Sequence, residues 1–294
     1  MCCSFVPRTL LQRLVQDGSL SDEARQELQT RIDEISQTLS SLAAGADSEI
    51  KYKTRYAEVP GRYKEFHSAI WSMATKNIDE FNYKTGEILG TSYQPLPGIP
   101  LRTSQELPVE DTDVNTCMEG LRTTYDFYKK IFNRESVDNN GLQLEASIHY
   151  SIRFANAFWD GGAKQMIFGD GDGNTRFGRY AGIFKPGSFV QSLDIIAHEL
   201  THAVTQFTAG LVYQGQSGAL NESMSDVFGA MVVQWKLEQT VDKAEWLMGH
   251  DIINPNSESI PEWLKNSRNL RSLKDPESLT NFGPRTYSRV IDTI

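Results

Sequence analysis

The stretch QSLDIIAHELTHAVTQFTA, residues 191–209, carries its apolar residues at helical spacing and reads as a single helix. His198 and His202 stand four apart, so both imidazoles project from one face. Glu199 lies between them. In the pattern H-E-x-x-H two neutral imidazoles can hold a zinc ion while the intervening carboxylate reaches the ion's water without being a ligand. By residue frequencies the pattern alone arises by accident in roughly one chain in a hundred of this length, so its context has to agree.

Sixteen residues beyond His202 begins GALNESMSDVFGAM, residues 218–231, again helical, with Met224, Val227, Phe228 and Met231 on the expected apolar side. Glu222 supplies a third ligand. Two histidines and a carboxylate leave a fourth position open to water, which is the pattern of a catalytic zinc centre and not of a closed structural one. Asp226 follows one turn later, where its carboxylate can accept the second ring proton of His198 and fix the tautomer. Taken without the upstream motif, Glu222 and Asp226 read as solvated helix acids. Asp194, one turn before His198, reads equally as a support or calcium residue and as a surface charge.

Outward from this centre, composition removes broad alternatives. The chain has 294 residues, of which 39 % are hydrophobic and 23 % charged, so it is long enough for two domains and lies outside the disordered class. No run reaches the roughly 18 apolar residues of a membrane span, so no membrane partner is expected. Lys plus Arg number 29 against 38 Asp plus Glu, a net charge of −9 that argues against a nucleic-acid partner. Cys2, Cys3 and Cys117 are too few for a disulfide framework.

At the N-terminus Arg8 and Arg13 interrupt the apolar patch before a secretory signal core can form, so a cytoplasmic or unconventionally exported protein is expected. Ser21 can cap a following helix in which Ala24, Leu28, Ile32, Ile35, Leu39 and Leu42 form one stripe, to dock on the body of the protein or on a partner helix. Gly45 to about Arg62 reads as a connector. Strand-like fragments occupy residues 67–110, and a helix from near Asp111 turns Val114, Cys117, Leu121, Tyr125, Phe127 and Phe132 inward. Asn140–Gly141 suits a turn before the strand LEASIHYS. The stretch FGDGDGNTRFGR reads as tight turns or as a calcium loop, although it lacks EF-hand spacing.

HELTHAVTQFTAGLVYQGQSGALNESMSDVFGAM, residues 198–231, closely resembles the active-site segment of the thermolysin-like peptidases, the M4 gluzincins. IHYSIRFANAFWDGGAKQMIFGDGDG, residues 148–173, resembles the strand and loop that precede it, and the similarity runs from about residue 67 to the C-terminus. The resemblance implies an α+β fold. A mixed sheet domain would meet a mainly helical domain at a cleft crossed by the zinc helix. Residues 1–60 would then be a helical prosegment and linker, 61–209 the α+β domain ending in the zinc helix, and 210–294 an incomplete helical domain. It also implies a zinc-dependent endopeptidase acting on peptides or proteins, with His198, His202 and Glu222 as ligands and Glu199 as general base. Asn156 and Ala157 in NAFW match substrate-backbone contacts, and Tyr213 in AGLVYQ matches a transition-state donor. Arg271 in NLRSLKDP matches the arginine that supports the substrate carbonyl. From the residues alone, Asn156 reads as a structural asparagine, Tyr213 as a buried aromatic and Arg271 as a salt-bridge or surface residue.

Three departures modify the expectation. Val233, Leu247 and His250 stand where the family's calcium-binding acids are expected, leaving mainly Asp194 and Glu245, so the conventional calcium pair is expected to be absent. FVPRTLLQRL resembles the short propeptide of the protealysin-like branch, an intramolecular inhibitor, with Arg8–Thr9 departing from its signature. After TYSRVIDTI the family continues into a segment bearing a donor histidine, which is expected to be missing here. Impaired activity, or a zinc-binding protein with a purely inhibitory or binding role, follows as an expectation.

Overall fold

The computed structural model describes residues 6, 8–22, 24–26, 28–30, 32–33, 36, 65–73, 81–82, 87–88, 96–150, 154–171, 182–185, 187–250, 252–257, 260–267 and 269–274. The proposed connector between Gly45 and Arg62, with Ile35, Leu39 and Leu42 of the apolar stripe, lies outside them.

The order is α1 (Arg8–Gln16), β1 (Ser68–Ser72), β2 (Phe81–Asn82), β3 (Glu87–Ile88), β4 (Ile99–Thr103), α2 (Thr112–Phe132), β5 (Leu144–Ile148), β6 (Ala157–Asp160), β7 (Gln165–Phe168), α3 (Ser188–Gln191), α4 (Leu193–Gln206), α5 (Gly215–Lys236), β8 (Leu247–Met248), α6 (Glu262–Ser267) and β9 (Arg271–Ser272). Five strands form one mixed sheet in the order β4-β1-β5-β7-β6. The β1–β5 and β5–β7 pairs are parallel, while β4 and β6 run antiparallel at the two edges. Ile70, Ala146, Met166, Ile167 and Phe168 are buried, as residues of inner strands covered on both faces must be. Among the described residues no helix is long and apolar enough to cross a membrane.

Helix α2 begins where the sequence places it. The Asp111 side chain accepts from the amides of Asp113 and Val114, satisfying donors that the first helical turn leaves open. Val114, Cys117 and Leu121 enter the core, but Phe132, the last residue of the helix, is 49 % exposed. In the turn before β5 the left-handed residues are Ser136, Asn139 and Gly141.

The zinc-motif helix is α4, shorter than residues 191–209 and separated from α3 by Ser192, which adopts an extended conformation. Against it lies α5, and here the expected apolar side is corrected. Met224 is 37 % exposed, whereas Gly218, Asn221, Ser225, Asp226, Gly229, Ala230 and Val232 are buried. Small and polar residues face α4 for a steric reason. A Cβ on Gly229 would stand 2.8 Å from the Asp194 carbonyl oxygen and 3.0 Å from Met248 Cε, so only glycine allows this approach. Phe228 and Met231 flank that contact and pack partly buried with Phe127, Tyr128, Ala197 and Val232.

Helix α1 is an element that the composition of the N-terminus did not announce. Leu14, Leu20, Leu28 and Ile32 join the main core together with Val6, so the leading segment docks on the body of the protein.

Candidate metal centre and active site

One turn of α4 carries His198 and His202 toward the first turns of α5, and Glu222 completes the group. Glu222 Oε2 lies 3.4 Å from His198 Nε2, and Glu222 Oε1 lies 3.4 Å from His202 Nε2. Ligands about 2.0–2.1 Å from a tetrahedral zinc stand roughly 3.3–3.4 Å apart, so both carboxylate–imidazole separations fit. The two Nε2 atoms are closer, at 2.9 Å.

The opposite ring nitrogens are occupied. His198 Nδ1 meets Asp226 Oδ1 at 2.9 Å; His202 Nδ1 meets Asn221 Oδ1 at 2.8 Å and Ser225 Oγ at 3.1 Å. With Nδ1 donating to an oxygen, each Nε2 is left as the lone-pair face toward the centre. Asn221 and Ser225 are site residues that the sequence reading missed. Their signal is weak, since they are ordinary helix residues beside Glu222 until α5 is laid across α4.

Burial alone would lower the pKa of His198, but the Asp226 and Glu222 carboxylates raise it to about 10. Burial would raise Glu222, yet the two histidines hold it well below the usual carboxylate range. Asp226 is likewise held down against burial, by Arg271 and His198. Both carboxylates are thus held in the charged form, the form in which a carboxylate binds a cation or supports a ligand to one. Glu199 is different: it is fully buried, burial pushes it up to about 7, and against this stand the charges of His198 and His202 and a weak pull from the Trp159 backbone amide, which does not reach hydrogen-bonding geometry with either carboxylate oxygen. A buried carboxyl left orphaned costs stability unless a ligand, ion or water serves it. The residues present therefore fit a bound zinc ion and its water.

The remaining expected residues fall around this core. Asn156 is buried at the head of edge strand β6, and its Oδ1 accepts from the Ala157 amide at 2.9 Å. The same oxygen accepts from the Val6 amide, also at 2.9 Å, so the N-terminal segment occupies the expected substrate contact. Trp159 Nε1 donates to Gln206 Oε1 at 2.7 Å and ties β6 to the end of α4. The Tyr213 hydroxyl donates to Glu222 Oε1, and thus sits at the ligand carboxylate. Arg271 grips Asp226 through two nitrogens, Nε to Oδ2 at 2.7 Å and Nη2 to Oδ1 at 2.6 Å. Its visible role is to hold the carboxylate that orients His198. Asp194 is buried, which removes the surface-charge reading, and Glu245 is exposed.

Asp113, His149 and Asp170 form a second group with candidate ligand atoms within 4.8 Å of one another. Here both imidazole nitrogens are already taken, Nδ1 by Asp170 at 2.7 Å and Nε2 by Asp111 at 3.0 Å. Burial would lower the His149 pKa, but Asp170 and Asp111 raise it to about 9. The group is an imidazolium clasp joining the α2 cap to the loop after β7, and Asp170 of FGDGDG serves as its anchor.

A helix pair presenting two histidines and a glutamate beside a buried carboxyl, next to a mixed sheet with β6 at its edge, defines a metallopeptidase-type centre. Comparison with known proteins agrees. Residues 109–206 match the thermolysin metallopeptidase catalytic domain and residues 209–293 the thermolysin metallopeptidase alpha-helical domain. The precursor of protealysin, a metalloproteinase from Serratia proteamaculans, is 31 % identical with a TM-score of 0.65, covering 96 % of this chain and 69 % of that one. An extracellular metalloprotease of Pectobacterium carotovorum is 37 % identical over 85 % of this chain and 61 % of its own length. Bacillolysin of Brevibacillus brevis is 43 % identical over 66 % of this chain and 31 % of its own. The chain belongs to the thermolysin metallopeptidase family, peptidase M4. It spans between 31 % and 61 % of the length of these two curated relatives.

Proposed function

We propose that this chain is a zinc-dependent metalloendopeptidase whose N-terminal segment acts as an intramolecular occupant of the substrate cleft. The observation that carries the reading is the convergence of His198, His202 and Glu222, with 3.4 Å between the carboxylate and each imidazole, beside a buried and unsatisfied Glu199.

His198, His202 and Glu222 would hold the zinc ion, which when bound polarises a water and the scissile carbonyl. Glu199, with its pKa near neutrality, accepts the proton of the attacking water at a carboxylate oxygen and returns it to the leaving amine. The low-dielectric setting that raises this carboxyl also strengthens its pull on a proton placed beside it. Tyr213 would offer its hydroxyl to the oxygen on which negative charge develops, after turning from Glu222. Asn156 Oδ1 would accept a substrate amide where it now accepts that of Val6, and edge strand β6 would pair with an extended peptide. Arg271 holds Asp226, and through it the His198 ring, in one orientation.

The test uses zinc-loaded full-length chain, before and after removal of the N-terminal segment, on an unstructured protein substrate. Glu199→Gln should keep zinc and lose roughly 100- to 10,000-fold in hydrolysis, the usual contribution of a general base. Zinc binding without hydrolysis in every form would instead make the chain a zinc-binding inhibitory or binding protein.

A further inference from the structure

Asp194 stands one helical turn ahead of His198 and is buried. Its Oδ1 accepts from the Ser192 hydroxyl and, at 2.8 Å, from the Ile195 amide; its Oδ2 accepts from the Gly249 amide at 2.6 Å. Two of these donors are local to the start of α4. The third belongs to a distant part of the chain.

Gly249 closes strand β8, with φ of +65° and with Leu270 Cγ only 3.0 Å from where a Cβ would stand. Strand β8 pairs with β9 through Leu247↔Ser272 and Met248↔Arg271 alone. Backbone bonds from Leu270 to the Met248 carbonyl at 2.9 Å and from Leu273 to the Trp246 carbonyl at 2.8 Å flank the pair. A ribbon this short does not keep its register unaided. Its register nonetheless decides where Arg271 points, because Arg271 lies on β9 opposite Met248, the residue before Gly249. From there the guanidinium fork reaches Asp226, and Asp226 accepts from His198 Nδ1.

We propose that Asp194 is a positioning residue for the metal centre: its carboxylate clamps the Gly249 amide, sets the β8–β9 register, and so delivers Arg271 to the carboxylate that orients His198. A bond from a buried amide to a buried carboxyl oxygen is suited to this, being short, directional and costly to leave unmade. The role rests on the zinc reading for its consequence but not for its geometry.

The deciding experiment uses Asp194→Asn in the full-length chain. Asparagine keeps the shape but turns an NH2 group against one of the three donors, so a donor faces a donor. Zinc affinity, measured by competition with a chromophoric chelator, should weaken about tenfold, the lower end for residues that orient ligands from behind. Arg271→Leu should weaken it at least as much, and the double variant should be no weaker than Arg271→Leu alone. Losses that multiply would overturn the proposal, because Asp194 would then act independently of Arg271. In zinc-free protein labelled with 15N at histidine, the exchange-protected His198 Nδ1 proton should lose protection in both single variants. An unchanged signal in Asp194→Asn would also overturn it. If that variant does not fold, the Gly249 amide of the unmodified chain decides: slow exchange like that of α4 supports the clamp, and loop-like exchange refutes it. A chain that binds no zinc would defeat the proposed function while the proton measurement still judged Asp194.

Discussion

Trp263 on α6 is the outer fastening of the N-terminal segment, and replacing it by leucine should loosen that segment by a calculable amount. Its indole N–H donates to Asp17 Oδ2 at 3.0 Å, and the Arg13 guanidinium lies 4.6 Å from its ring centroid. The hydrogen bond contributes about 1 kcal/mol and the partly exposed cation–π contact about 0.5–1 kcal/mol. Leucine keeps an apolar side chain against the core and loses both, so their sum is the least that the substitution should cost. The loss of about 1.5–2 kcal/mol corresponds to a roughly 10- to 30-fold rise in the undocked population of the segment. Hydrogen exchange of the Arg8–Gln16 amides, followed by mass spectrometry, reads this population directly. Exchange in α1 should accelerate by that factor while α4 keeps its protection. Unchanged protection of α1, or equal acceleration in α1 and α4, would refute the reasoning. The first result would mean that Trp263 does not hold the segment, and the second that the whole domain had weakened. Asp17→Asn should produce part of the effect, and its effect should largely vanish in the Trp263→Leu background.

Two further outcomes follow from the charge clusters. The folded pKa of His149 is raised from 6.5 to about 9, so the stability contributed by its imidazolium is complete below about pH 6.5 and is lost as pH rises through about 9. Integrated over that interval the contribution is about 3 kcal/mol, with Asp111, Asp113 and Asp170 as the facing charges. Urea denaturation of zinc-loaded His149→Gln should show a shallower decline of stability across pH 6.5–9 than the parent chain; an unchanged slope would remove the clasp. Chelation selective for zinc should lower Tm, because a ligand that binds only the folded state stabilises it, whereas added calcium should leave Tm unmoved. A calcium-dependent rise would restore the calcium pair that Val233, Leu247 and His250 argue against.

Local sequence determined which side chains are candidates for chemistry in this protein, and tertiary structure determined how they are organised. Four-residue spacing on a helix puts His198 and His202 on one face whatever surrounds them, because helical geometry is a property of the backbone. Glu222 was readable as the third candidate ligand through the acid-bearing helix that begins soon after, and the fold brings it within reach of both histidines. The docking of those two helices was not readable from periodicity. Glu222, Asn221, Ser225 and Asp226 meet α4 because Gly229 permits close approach, so the buried face of α5 is small and polar while Met224 turns outward. A hydrophobic stripe cannot announce a face whose function is to hold charge. Long-range contacts were hidden in the same way. Val6 reaches Asn156 across 150 residues and Trp263 reaches Asp17 across 246. Only the folded chain brings such pairs together, because each bond is specified by where two distant elements pack and not by the residues next to either partner.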